Sequence, residues 1–334
     1  MPSPSRLALV AALLLGLAVP TSQALAARPA PMDCSGTGRE LTCTVTLPGD
    51  VSVRSNKVRV VVPADYATSG RDYPVVFMLH GVGDNESSWT NTTRGDLGRL
   101  TQACQAIFVM PDGGGGSTAG WYSDWKDGTR QYETYHTDVL PRAVDAAFRT
   151  EGKKFRAVAG LSMGGFGALS YTARHPGLYR ATASYSGFAD TLFGAPATGA
   201  FYDVGGQNPV TSLGTPNKGI WGDQTADRET WAAHNPYDLA DAFRGQPLFL
   251  STGHGGPGGS QGDDPTKANA YVTEAYVGQL NDRFADQLTA RGIPFADARE
   301  LGGRHDWPYW RANFTASLKV LMPALNAATS GCGA

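Results

Sequence analysis

The chain has 334 residues, with 28 Lys and Arg against 30 Asp and Glu, for a formal net charge of −2. That balance excludes the strongly basic surface of a nucleic-acid-binding domain and leaves no polybasic anchor for anionic membranes. Hydrophobic residues make up 41%, enough for a sizeable core, while 42 Gly and 21 Pro without a G-X-Y period exclude collagen.

Arg6 is the only charge among the first 26 residues, and residues 7–20 form an apolar run too short to span a bilayer comfortably. The run leads to Ala24-Leu25-Ala26, an A-x-A cleavage signal, so residues 1–26 are expected to be a signal peptide. No other segment reaches 18 apolar residues, and the mature chain is expected to be secreted without a membrane span. Export makes the four cysteines readable as disulfides. Cys34 and Cys43 flank SGTGRELT, a turn before a strand-like run, which fits a hairpin staple and leaves Cys104 and Cys332 to pair. Four cysteines allow three connectivities, and spacing alone does not choose among them. No C-x2-C or H-x3-H spacing points to a metal site, and no cofactor is expected.

Residues 43–62 carry alternating strand patterns. Buried-strand runs follow at Val75 to Leu79, Ala106 to Met110, Phe155 to Ala159, Pro247 to Ser251 and around Phe295 to Leu301. Helix-like segments lie at 135–149, 163–174 and 270–291, with a C-terminal helix beyond. Short, doubly buried strands separated by helices predict an α/β fold with a mainly parallel central sheet and helices on both faces. Without a repeat or a dividing linker, residues 27–334 read as one domain, with an irregular insertion around 187–235 rich in Gly, Pro, Asn and Asp.

Two stretches match G-x-S-x-G: Gly160-Leu161-Ser162-Met163-Gly164 and Gly258-Gly259-Ser260-Gln261-Gly262. A nucleophile elbow needs a strand, a sharp turn and a helix, so that the serine stands at the strand end before a helix N-terminus. Ser162 has that context. Ser260, inside HGGPGGSQGDDP, does not. The two oxyanion donors are then expected at the Met163 N–H, directly after the nucleophile, and at the Val82 N–H in the His80-Gly81-Val82-Gly83 loop. Of six histidines, His305 alone follows the last strand and precedes the C-terminal helix, where the general base belongs. For the acid, the residues leave Asp263 and Asp264 after the PLFLST strand in competition with Glu274 on the following helix. Trp121, Tyr122, Trp125, Trp307 and Trp310 are candidates for lining an acyl or aryl pocket.

From about residue 50 onward the chain resembles the putative-esterase branch of the α/β-hydrolases, and most closely the secreted mycolyltransferases of the antigen 85 family. The resemblance is carried by GWYSDW (120–125) after MPDGG, Gly160 to Gly164, HNPYDL (234–239), the STGHGGPG loop, and His305-Asp306-Trp307-Pro308-Tyr309-Trp310. It implies an α/β-hydrolase fold and a Ser-Glu-His triad whose acid is Glu274, with Asn281 and Phe284 in the family's register. It also has a gap. Where the mycolyltransferases carry an Asp-Gly-Leu-Arg segment that helps bind trehalose, this chain has His80-Gly81-Val82-Gly83. The resemblance thus implies general esterase chemistry on a small-molecule or cell-envelope ester. Its alternatives are acyl transfer to a sugar or glycerol hydroxyl and, in another class, a non-catalytic binding protein on a hydrolase fold.

Overall fold

The computed structural model describes residues 32–115, 119–193 and 219–334. The expected signal peptide lies outside them, as does 194–218 of the irregular stretch. One nine-stranded sheet runs through the described residues in the order β1-β2-β3-β5-β4-β6-β7-β8-β9. The strands are β1 (Met32–Thr37), β2 (Glu40–Val45), β3 (Lys57–Val61), β4 (Val75–Leu79), β5 (Ile107–Pro111), β6 (Arg156–Leu161), β7 (Ala181–Tyr185), β8 (Leu248–Ser251) and β9 (Ala296–Asp297). From β5 to β9 every pairing is parallel, and β1, β2 and β3 join as an antiparallel edge.

Period-two alternation explains how the parallel strands are buried on both faces. Along β4, Val75, Phe77 and Leu79 enter one apolar cluster and Val76 and Met78 the other. The first cluster packs beneath α1 (Leu140–Ala147) and α2 (Met163–Arg174), and the second beneath α4 (Trp307–Ala324). A third cluster seats α3 (Ala268–Ala290) on β8 through Phe284, Leu288, Leu248 and Leu250. The carboxyl ends of β4, β6, β7 and β8 face the same edge of the sheet, where α/β folds place ligands.

Of the three connectivities left open by the sequence, the structure has the one with the hairpin staple. Cys34 and Cys43 are register partners across the β1–β2 hairpin, and Cys104 is joined to Cys332. Three details depart from the expected elements. The helix expected at 135–149 begins at Tyr132, passes through a π turn at Tyr135–Val139, and ends at Ala147. Strand β7, AlaThrAlaSerTyr, had no apolar run to announce it. The run around Phe295 to Leu301 contributes only two strand residues. The described ends of the 187–235 stretch are packed inward: Phe188, Ile220, Trp221 and Trp231 belong to the first cluster.

Candidate active site

Ser162 stands between the last residue of β6 and the first of α2. Its φ of 55° and ψ of −122° put a non-glycine residue in a backbone region that L-residues seldom adopt. The turn closes only because its flanks lack side chains. A Cβ on Gly160 would lie 2.2 Å from Gly164 O, and one on Gly164 would lie 2.5 Å from Leu79 O. Ser260, the second pattern match, hydrogen-bonds Glu300 on an exposed loop and has neither strand nor helix against it.

The His305 ring spans the sheet edge. Its Nε2 is 2.8 Å from Ser162 Oγ, and its Nδ1 is 2.7 Å from Glu274 Oε2. The backbone sets this position. His305 N–H donates to Ala270 O at the start of α3, and Asp306 caps α4 by accepting from Trp307 N–H, with Pro308 in the first turn.

Glu274 is 1% exposed, in the second turn of α3. Its Oε1 accepts from the Ser186 hydroxyl (2.7 Å), the Gly253 N–H (2.7 Å) and the Thr252 hydroxyl (3.1 Å). Burial alone would raise its pKa. The His305 imidazole, the Gly253 N–H and the Ser186 hydroxyl outweigh burial and hold the carboxyl below its usual range. Asp263 and Asp264 are engaged elsewhere: Asp263 accepts from Gly258 N–H, and Asp264 caps the short helix Pro265–Lys267. The structure therefore brings Ser162, His305 and Glu274 together and leaves both aspartates in the loop.

The His80-Gly81-Val82 loop at the end of β4 lies against the serine. A Cβ on Gly81 would be 2.9 Å from Leu161 Cδ1 and 3.2 Å from Ser162 Cβ. Met163 N–H is the first of α2 and points out of the helix end with no partner in the helix. A cavity of about 300 Å³ opens on Ser162 and His305, walled by Val82, Phe188, Trp307 and Trp310, with Asp84 and Arg94 at its polar side. Arg94 is ion-paired to Asp84 at 2.6 Å.

Trp307 lies in the wall of this cavity, and Trp121 and Trp125 lie elsewhere. Trp121 is fully buried behind the cavity, its ring against Phe166 and Phe188. Trp125 packs on the first apolar cluster and donates to Gly120 O. Both sit in a turn whose tight backbone (φ of 48° at Trp121 and 49° at Tyr122) drives the rings into the core rather than into the cavity. One contributor went unremarked in the sequence, and a second was foreseen only in part. Ser186 follows the unannounced β7 and also has positive φ. Trp310, foreseen only as a wall, donates its Nε1–H to Ser186 Oγ and sets its ring edge-on to His305, 4.9 Å between centroids.

A family model described as "Putative esterase" matches residues 52–321. The chain belongs to the putative esterase family. Within it, the Mycobacterium tuberculosis protein named Esterase Rv1288 is 36% identical over 259 residues, covering 74% of this chain and 52% of that protein. The chain spans about half the length of that esterase. The Mycobacterium leprae diacylglycerol acyltransferase/mycolyltransferase Ag85B is 29% identical over 298 residues, covering 84% of this chain and 83% of the relative. A solved ferulic acid esterase superposes with a TM-score of 0.61 at 20% identity over 89% of this chain and 99% of its own, which supports the α/β-hydrolase fold.

Proposed function

We infer that this chain is a serine carboxylic-ester hydrolase acting through an acyl-enzyme, with Ser162 as nucleophile, His305 as general base and acid, and Glu274 as the residue that orients it. The observation that carries the reading is the unbroken chain of contacts from Ser162 Oγ through the imidazole to a buried, ionised Glu274. Glu274 accepts a hydrogen bond from Nδ1–H, which keeps the ring proton on Nδ1 and leaves Nε2 with its lone pair toward the serine. Ser162 Oγ attacks the ester carbonyl carbon as its proton passes to Nε2, and the C=O electron pair moves onto the oxygen. The Val82 and Met163 N–H groups hold that oxyanion. Collapse of the adduct expels the alcohol, which takes the proton from Nε2. Water then attacks the acyl-enzyme by the same route and releases the acid. A non-catalytic binding role would have no use for a strained serine hydrogen-bonded to a buried His-Glu pair.

The apolar cavity against Ser162 is sized for a short or aromatic acyl group. A second reading, acyl transfer to a sugar or glycerol hydroxyl, draws support from the mycolyltransferase relative. It is also favoured by a polar cavity of about 550 Å³ lined by Arg54, Lys57, Glu86 and Asp112, which shares Gly83 and Asp84 with the first. The N-terminal signal and two disulfides support export, with 1–26 removed and 27–334 forming one catalytic domain in an oxidising compartment.

The test is hydrolysis of p-nitrophenyl esters of increasing acyl length by the mature protein, with and without glycerol or trehalose. Short esters should be cleaved best, and Ser162→Ala should lower kcat by about 1,000-fold or more while the protein stays folded. Wild-type turnover by Ser162→Ala would overturn the nucleophile. Acylated acceptor in place of free acid would select the transferase reading.

A further inference from the structure

One buried histidine outside Ser162, His305 and Glu274 lies at the start of the loop that carries Val82. His80 directly follows β4 and is buried, 1% exposed. Gly113 N–H lies 2.8 Å from its Nε2. An amide N–H can only donate, so Nε2 must carry the lone pair and the ring proton must sit on Nδ1. That Nδ1 lies 2.8 Å from Gly81 O, to which it therefore donates. Asp84 N–H donates to the same oxygen at 3.2 Å.

Gly81 C=O and Val82 N–H are the two ends of one peptide unit, which is planar and trans. Fixing the oxygen on one side fixes the N–H on the other. Two donors on the oxygen also polarise the unit, which strengthens the N–H as a donor. The main chain of His80 is held just as firmly. Its N–H donates to Tyr122 Oη, and that hydroxyl donates back to His80 O, both at 2.9 Å. Tyr122 in turn fits only because glycines face its ring: a Cβ on Gly113 or Gly167 would lie 2.5 or 2.6 Å from it. The Gly120-Trp121-Tyr122 turn, whose tryptophan does not reach the cavity, thereby gains a role beneath the loop.

We propose that His80 is a positioning residue for the reaction, locked by Gly113 N–H as the Nδ1–H tautomer and holding the Gly81–Val82 peptide so that the Val82 N–H meets the oxyanion. This rests on the Ser162 esterase reading and on Val82 as an oxyanion donor. His80 touches neither substrate nor reacting atoms, so it should act on the transition state and leave ground-state binding alone.

The test compares His80→Asn with His80→Gln in the full mature chain. Asn places an amide N–H near the position of Nδ1 and can still donate to Gly81 O. Gln places its amide near Nε2, where it can satisfy Gly113 N–H but not Gly81 O. Four readouts are taken: kcat, KM, the Kd for phenylboronic acid, whose tetrahedral adduct with Ser162 mimics the oxyanion, and Tm. His80→Gln should lower kcat and weaken phenylboronic acid binding in parallel, by about 10–100-fold, with KM changed less than about 3-fold, and His80→Asn should recover most of both. If folded His80→Gln matches wild type in kcat and boronate affinity, the proposal is overturned. It is equally overturned if both variants lose only Tm while kcat of the folded protein holds. Failure of the underlying reading shows separately, as wild-type turnover by Ser162→Ala, and the proposal falls with it.

Discussion

At Glu274 a single carboxylate decides which of two aspartates and a glutamate can serve the histidine. Sequence could list all three, because each follows the β8 strand at a plausible distance, and only the family register favoured the glutamate. Its side-chain direction was not readable: a Glu in the second turn of a helix ordinarily faces solvent, and here the helix axis turns it under the Gly253 loop. The environment then does what the chemistry needs. One oxygen is saturated by Ser186, Thr252 and Gly253, and the other is reserved for His305 Nδ1. Glu274→Gln keeps the shape and removes the charge, and it allows the wrong imidazole tautomer. It should lower kcat by about 1,000-fold or more with little change in KM. Asp263→Asn and Asp264→Asn, whose carboxylates serve loop and helix-cap amides, should stay within about 3-fold of wild type in kcat. Steady-state kinetics on one short ester checks all three. An aspartate variant losing as much as Glu274→Gln would reassign the acid.

Among the elements, α2 and β4 were legible to the residue, because a glycine-flanked serine and an unbroken apolar run each have one physical reading. Strand β7 was not. Its small residues, Ala, Thr and Ser, suit a strand squeezed between β6 and β8, yet carry no apolar signature. The π turn at Tyr135–Val139 was equally silent, since one extra residue in a turn leaves the hydrophobic spacing almost unchanged. That turn directs His136 into the core, where Nε2 bonds Asp112 O and Nδ1 meets the Tyr171 hydroxyl. Burial lowers its pKa from 6.5 to about 3, so the native ring stays neutral. The sign follows directly. Between those two values the unfolded chain binds a proton that the native chain refuses, so stability is full above about pH 6.5 and falls as the pH drops toward 3. The loss from this one group between pH 7.5 and pH 5 should be about 2 kcal/mol. Urea titrations at both pH values should show His136→Gln less stable than wild type at pH 7.5 but with a shallower decline toward pH 5. Parallel declines in the two proteins would place the acid sensitivity elsewhere.

For the whole molecule, the sheet edge that gathers the site was foreseeable and the strand order was not. Five runs could be named from sequence, but nothing local tells β5 to pair outside β4 or β1 to β3 to add an antiparallel margin. The glycine content resolves at this scale: at Gly81, Gly113, Gly160 and Gly164 it marks backbone that a Cβ would push apart at the carboxyl edge of the sheet. The two disulfides differ in how much chain they close. Cys34–Cys43 closes nine residues within a hairpin already held by its ladder. Cys104–Cys332 spans 228 residues and ties the tail beyond α4 to the segment before β5, at the amino edge of the sheet. If a cross-link acts mainly by restricting the unfolded chain, the first contributes about 2–3 kcal/mol and the second about 5 kcal/mol. Replacing Cys104 and Cys332 together by Ala should therefore lower the urea midpoint at pH 7.5 more than replacing Cys34 and Cys43, and should also steepen the urea slope, because the unfolded chain without the long bridge is less compact. Neither bridge touches Ser162, His305 or Glu274, so kcat on a short ester should hold in both variants well below their Tm. A hairpin variant as damaged as the long-range one would mean that native packing around Cys34 and Cys43, rather than loop closure, sets the contribution of these bridges.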